Sequence, residues 1–170
     1  DVSRTPAVAG YEKGVPMGAD LPAAPAGKAP TFLIAALKDP MRGNLDRIQV
    51  IKGWVDKAGK THEKIFDVAW SNPEQRKVGA NGKLTPVGST VDIATASWTN
   101  TIGTPELIAV WKDPEFDPAL RAFYYARVLE IPTPRWTAYD AAYFKIKMDP
   151  KVPMTTQERA WSSPIWYTPR

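Results

Sequence analysis

The sequence predicts an all-β domain, an antiparallel β-sandwich of about six to eight strands with little helix. The first observation is length, since 170 residues suit one domain with a core of its own. The second is that 17 prolines and 11 glycines leave little room for long uninterrupted helices. The third is a series of short runs of β-branched and aromatic residues, separated by turn signals.

The N-terminal segment differs in composition from the rest of the chain. Residues 1–30 are rich in Ala, Pro and Gly and show neither a strand period nor a helix period. This composition predicts an extended arm or linker that contains at most one short strand. The β-sandwich domain is therefore expected over residues 31–170.

Regular strand signals begin after the arm. TFLIAALK (31–38) predicts a buried strand that ends at Asp39-Pro40. Two further runs, 46–56 and 60–70, flank the turn signal Ala58-Gly59 and predict a β-hairpin.

The second half of the chain continues this pattern. Residues 71–89 read as a polar loop around Asn81-Gly82, and 113–121 as a single helical turn between sheets, with Asp-Pro pairs that favour turns. The remaining strands are predicted at 89–99, 105–113, 122–131 and 163–169.

The strand at 122–131 leads into a corner. Pro132 and Pro134 fix φ and remove backbone donors, so the strand is expected to end there and a loop tied by Tyr139 and Asp140 to follow. The run is apolar on both sides, so either Phe123, Tyr125 and Val128 or their alternates point inward.

The charge pattern argues against several classes of function. The net charge of +4 is scattered among acids, whereas nucleic-acid binding normally needs a basic face. No apolar run approaches the length of a membrane-spanning helix. The chain has no cysteine, which excludes disulfides and thiolate chemistry and leaves the compartment open.

Sequence motifs for catalysis are missing. His62 is the only histidine, and one histidine without identified neighbours predicts neither a metal site nor a catalytic triad. The carboxylates offer no preferred pair, and phosphate-loop, dinucleotide-binding and nucleophile-elbow patterns are absent. We therefore predict no catalytic residue, no metal ligand and no cofactor in this chain.

Aromatic residues are the candidates for binding. Ring faces over a β-sandwich can stack on sugars, but packing in the core or against another domain is the commoner role of such residues. Arginine beside tryptophan could stack, hold a carboxylate or satisfy backbone carbonyls at the corner. The candidate binding or interface residues are Arg135, Trp136, Tyr139, Trp161 and Trp166.

Several stretches together resemble a known family. The strings GYEKGVPMGADLPAAP, APTFLIAALKDP, FYYARVLEIPTPRW and SPIWYTP carry most of the likeness, which covers nearly the whole chain. They resemble the C-terminal region of the domain-of-unknown-function family numbered 3604. Full-length members look similar to metal-dependent hydrolases of the polymerase-and-histidinol-phosphatase type, in which a metal-binding β/α barrel precedes a β-sandwich.

The resemblance implies a C-terminal piece of a larger protein. The barrel's His-x-His motif has no counterpart here, so any divalent metal is expected in the barrel of the parent protein. The barrel is then the expected partner. The face expected to dock on it, formed by the arm and by residues 134–143 and 161–167, could also mediate self-association. Neither nucleic acid nor a membrane span is expected, and the bacterial periplasm is one compartment open to the parent.

Two functional hypotheses follow. In the first, the chain is a noncatalytic accessory β-sandwich domain that packs on the barrel and shapes its substrate cleft. In the second, it is an independent module that binds carbohydrate or peptide through an aromatic surface.

Overall fold

The computed structural model describes residues 6–23, 25 and 27–169. Within this part of the chain, two helices accompany ten mostly short strands. The helices are α1 (Pro6–Lys13) and α2 (Trp136–Phe144). The strands are β1 (Asp20–Leu21), β2 (Thr31–Leu37), β3 (Leu45–Val55), β4 (Thr61–Trp70), β5 (Glu106–Lys112), β6 (Ala122–Glu130), β7 (Thr133–Pro134), β8 (Thr155–Thr156), β9 (Arg159–Trp161) and β10 (Ile165–Tyr167).

The strands form one large sheet and two small ones. The six-stranded sheet has the order β1-β10-β6-β3-β4, and β9 pairs with β6 beyond the end of β10. Strands β2 and β5 form a second, antiparallel sheet, and β7 pairs with β8. All pairs are antiparallel except β1 with β10. The predicted all-β, sandwich-like class is confirmed.

The β3–β4 hairpin lies where the sequence predicted it. Its turn is held by Asp56, whose carboxylate accepts the backbone amides of Ala58 and Lys60 at 2.9 Å each. Gly59 has a φ of +81°, a conformation that costs glycine nothing because it has no Cβ.

The core lies between the large sheet and the β2–β5 sheet. Its buried cluster combines Phe32 of β2 with Val50 of β3, Ala122 and Tyr124 of β6, and Tyr167 of β10. This cluster decides the orientation of β6: Tyr124 points inward, and its neighbours Phe123 and Tyr125 lie on the opposite face of the sheet.

The polar loop at 71–89 is anchored by one buried arginine. Arg76 donates to the Asp46 carboxylate at 2.6 Å, to the Ser71 hydroxyl at 2.9 Å and to the Thr85 carbonyl at 3.0 Å. The Trp70 indole in turn donates to the Arg76 carbonyl at 3.0 Å. A long loop without regular structure is thereby fixed to the start of β3.

The prediction of a strand at 89–99 is wrong. This segment forms turns closed by a single bridge between Asp92 and Ser97. The Asp92 carboxylate accepts the Ala94 amide, and Thr90 accepts the Thr99 amide while donating to the Thr99 carbonyl. Short polar side chains thus bind backbone groups that a strand ladder would use. The hydrogen bond from Thr95, followed by that from the Ala94 amide, lowers the pKa of Asp92.

The prediction of a loop after the corner is also wrong, because residues 136–144 form helix α2. The strand does end before Pro132, as predicted, and β7 follows at Thr133–Pro134. Residues 136–144 include three alanines and neither glycine nor proline, a composition that favours a helix. Lys145, in the left-handed conformation with φ 53°, ends the helix.

Two smaller differences concern the arm and the crossing segment. The arm contains the short strand β1, as allowed for, but also helix α1, which starts at a proline in the position where helices favour it. Residues 113–121 form turns instead of a helical turn. Asp113 accepts the Glu115 amide and Asp117 the Ala119 amide, so the predicted Asp-Pro turns are confirmed.

Both faces of the β2–β5 sheet carry apolar side chains. Its inner face contributes to the core. By the strand register, the middle of its outer face carries Leu33, Ala35, Leu37, Ile108 and Val110, and Glu106 and Lys112 lie at its two ends. Leu37 is 78% exposed and Val110 57% exposed. Antiparallel sheets usually carry polar residues on a solvated face, so exposed apolar side chains here mark a candidate contact surface.

Neither described helix is long and apolar enough to cross a bilayer. Helices α1 and α2 have eight and nine residues.

Candidate functional site

The predicted site residues fall into two groups on different elements. Arg135, Trp136 and Tyr139 lie at the start of α2. Trp161 and Trp166 lie on β9 and β10, which both pair with β6. The two groups are described in turn as the α2 face and the outer face.

The α2 face is apolar around the helix. Asp140 is the only charged residue between Trp136 and Phe144, and Thr137 and Ala138 are the buried ones. A helix that is apolar on all sides is normally covered on all sides. The α2 face comprises the exposed residues Trp136 (61% exposed), Tyr139 (43%), Tyr143 (80%) and Phe144 (63%).

Arg135 precedes the helix and stacks on its neighbour. Its guanidinium carbon lies 5.7 Å from the centre of the Trp136 ring, within the range of a cation–π contact. Its backbone amide donates to the Met154 carbonyl at 2.9 Å, which fixes the start of α2 to the strand β8 region. Of the three roles considered for this arginine, the geometry matches stacking.

An open cavity of about 320 Å³ lies beside α2. Ala141 and Ala142 of the helix form one wall, and Ile93, Ile146 and Met154 contribute much of the rest. The cavity is mostly apolar and lacks a cluster of polar groups, so it suits a partner's apolar side chains better than a reacting substrate.

The outer face is the side of the six-stranded sheet opposite the β2–β5 sheet. By the strand register it carries Phe123 and Tyr125 of β6, flanked by Trp166 and Trp161. The Phe123 ring lies 5.3 Å from Trp166 and nearly parallel to Tyr125, with 6.3 Å between centroids and 9° between planes. Trp161 is 59% exposed and Trp166 47%.

A row of polar side chains crosses the same face. Trp161 pairs with Arg127, whose guanidinium donates to the Gln49 side-chain oxygen at 2.6 Å and 2.9 Å. Gln49 then donates to Asp67 at 2.8 Å, and Arg47 lies 3.5 Å from the same carboxylate oxygen. These side chains are held in fixed positions next to the aromatic rings.

Three buried polar side chains on the core face of the large sheet are close enough together to resemble a catalytic acid–base group. The Asp113 carboxylate binds the Lys52 ammonium at 2.6 Å and accepts the Tyr124 hydroxyl at 2.7 Å. Lys52 also donates to the Glu115 carbonyl at 2.7 Å. Burial, reinforced by the Asp113 carboxylate, raises the pKa of Tyr124, which keeps the hydroxyl protonated as a donor.

The space around these three side chains is too small for chemistry on a substrate. The adjoining cavity measures about 20 Å³, roughly the size of one water molecule. The group therefore fixes the 113–121 segment to the sheet. Sequence reasoning identified Asp113 as a turn former and missed its buried partner, because Lys52 is distant in the chain.

Glu130 occupies an unusual position at the end of β6. Its Oε2 atom is buried and has no hydrogen-bond partner among the residues that the structure describes. Burial, together with the negative charge of Glu158, raises the pKa of this carboxyl group.

The single histidine is paired on the hairpin. His62 contacts the Asp56 carboxylate at 2.7 Å and stacks on Trp54 with 5.2 Å between ring centroids. This hydrogen bond, the largest contribution, lowers the pKa of Asp56. In the described part of the chain no three His, Asp or Glu side chains cluster as metal ligands. The absence of a metal and of a cofactor stays a prediction.

Comparison with known families gives one match. The model of the family described as protein of unknown function (DUF3604) matches residues 2–169. The chain belongs to the DUF3604 family. This confirms the family named from the sequence strings. Comparisons with curated proteins and with solved structures gave no match. The description of the DUF3604 family names no reaction, so the surfaces of the domain are the basis for a functional proposal.

Proposed function

We propose that this DUF3604 chain is a noncatalytic accessory β-sandwich domain that docks through the α2 face onto another domain of the same protein. The α2 face carries the proposal, since a helix apolar on all sides leaves four aromatic side chains exposed. Large exposed apolar patches mark interaction sites. The resemblance suggests the metal-binding barrel of a hydrolase as the partner, with the sandwich shaping its substrate cleft.

The shape of the surface beside α2 fits a docked domain. The apolar cavity between the helix and residues 93–94 offers space for side chains of the partner. Aromatic anchors next to a pocket are typical centres of binding energy at protein interfaces. The chemistry, including any divalent metal, would then belong to the barrel.

Separate expression of the barrel and of residues 1–170 tests the proposal. Isothermal titration calorimetry should show association, and Trp136→Ser should weaken it about thirtyfold, as expected for loss of a tryptophan anchor worth ~2 kcal/mol. Because Trp136 is 61% exposed, the substitution should change the free energy of unfolding of this chain by no more than about 0.5 kcal/mol, as measured by chemical denaturation.

Met41→Ser is the matched control. Met41 is 83% exposed and lies outside α2, so its loss should leave the affinity unchanged. Absence of association between the two wild-type pieces would refute the proposal, as would an equal loss of affinity in the Met41 and Trp136 variants.

A further inference from the structure

We propose that the outer face of the six-stranded sheet binds a polysaccharide chain, with Phe123, Tyr125, Trp161 and Trp166 as the stacking platform. The C–H face of a pyranose is slightly positive and packs on the negative face of an aromatic ring. This function is independent of docking through α2. Four steps support it.

The first step is the orientation of the rings. A Cβ placed on Gly53 would lie 2.3 Å from the Phe123 ring, so the ring leans across the sheet into space that a side chain would fill. Tyr125 is parallel to Phe123 within 9°. The absence of a side chain at Gly53 thus gives the Phe123 ring room to lean across the sheet, parallel to the Tyr125 ring, and both rings are half-exposed.

The second step is the spacing of the platform. Trp166 pairs with Phe123 and Trp161 pairs with Arg127, two positions beyond Tyr125 on β6. The two exposed tryptophans therefore flank Tyr125 along the strand direction. Aromatic contacts spread along a strand suit several successive sugar units of a polymer.

The third step is the polar row beside the rings. The buried Gln49 side chain joins Arg127 to Asp67 by hydrogen bonds of 2.6–2.9 Å, so the remaining donors of Arg127 and acceptors of Asp67 are already positioned for a ligand's hydroxyl groups. Specific ligand sites combine apolar surface with a few placed polar groups. Preorganised side chains lose little conformational entropy on binding.

The fourth step is the contrast with the other exposed surfaces. Helix α2 has one charged residue, and the middle of the outer face of the β2–β5 sheet is aliphatic. Those surfaces suit protein partners. The outer face of the large sheet combines rings with fixed polar groups, and neither of the two cavities described above lies on it. An open platform fits an extended chain better than a single sugar.

Isothermal titration calorimetry of the intact chain with soluble xylan, glucomannan and polygalacturonate tests the proposal. Measurements at about 0.15 M salt screen exposed charges. Wild-type protein should bind at least one polymer. Binding of the neutral polymers would assign recognition to the aromatic rings. A preference for polygalacturonate that is lost in Arg127→Met would show that Arg127 also binds a carboxylate of the polymer.

The informative variants are Trp161→Ala combined with Trp166→Ala, and the matched control is Trp136→Ala. All three tryptophans are exposed to a similar degree, but Trp136 lies on α2. The double variant should lower the affinity about tenfold or more while the control retains wild-type affinity. Circular dichroism and thermal melting verify that each variant is folded.

Three results would overturn the proposal. One is the absence of a measurable heat of binding with all three polymers. Another is binding of polygalacturonate alone that survives loss of both outer-face tryptophans, because that would be attraction by charge only. The third is binding of a casein peptide mixture without binding of any polymer, which would assign the face to a protein partner.

Discussion

Lys52 and Lys64 show how much the surroundings of a side chain decide its contribution. They pair directly across β3 and β4 and lie on the same face of the sheet. Lys52 is buried and binds Asp113, which is fully buried. Lys64 forms a salt bridge with Glu115, but both of these side chains are about half exposed.

We expect Lys52→Met to destabilise the domain by about 3–5 kcal/mol, because it leaves the Asp113 charge buried without its cation. Lys64→Met should cost only about 0–1 kcal/mol, since exposed ion pairs contribute little. Urea denaturation of both variants at neutral pH measures the difference. Equal losses would show that the Lys52–Asp113 pair does not fix the 113–121 segment.

At the scale of elements, α2 ends in a conformation that does not suit its residue. Lys145 has a φ of 53°, and its backbone amide donates to the Ala141 carbonyl as the C-terminal cap of the helix. A non-glycine residue in the left-handed region costs about 1–2 kcal/mol, whereas glycine adopts it freely.

Lys145→Gly should therefore stabilise the domain by about 0.5–1 kcal/mol, after allowance for the greater entropy of glycine in the unfolded chain. Lys147→Gly is the control, because Lys147 lies outside the cap and has no positive φ. It should leave the stability unchanged or lower it slightly. A stabilisation as large in the control variant would count against the cap as the cause. Thermal melting followed by circular dichroism measures both variants.

At the scale of the whole molecule, the described residues leave much of the outer face of the β2–β5 sheet exposed. Its outer face exposes Leu37 on β2 and Ile108 and Val110 on β5. Domain contacts typically bury about 600–1,500 Å². A second copy can cover this face when no other partner is present.

We expect the isolated chain to associate reversibly above its monomer mass of 18.8 kDa as its concentration rises. Combining Leu37→Lys with Val110→Lys should shift it toward the monomer, because the charges would be desolvated in the contact. Lys57→Glu in the hairpin turn is a control that changes charge elsewhere. Sedimentation equilibrium measures all three proteins, and a double variant that associates like the wild type would exclude this face.

The sequence by itself determined the class of the fold and most of its longer strands. Local chemistry sufficed for the hairpin, since the turn at Ala58-Gly59 and the strands on either side lie close together in the chain. Pro132 ended β6 for a purely local reason, the loss of a backbone donor. Predictions failed where local signals competed: Thr90 and Asp92 turned a strand-like segment into a loop, and α2 formed in a stretch expected to be irregular.

Only the tertiary structure decided which side chains share a surface. The sequence named Trp161 and Trp166 as candidates, but Phe123 and Tyr125 joined them because Tyr124 fills the core and alternation places its neighbours outside. The polar row depends on pairing between β3, β4 and β6, and the Lys52–Asp113 pair joins residues far apart in the chain. Contacts of this kind follow from strand register, which is fixed by the burial of a whole face and not by any one residue.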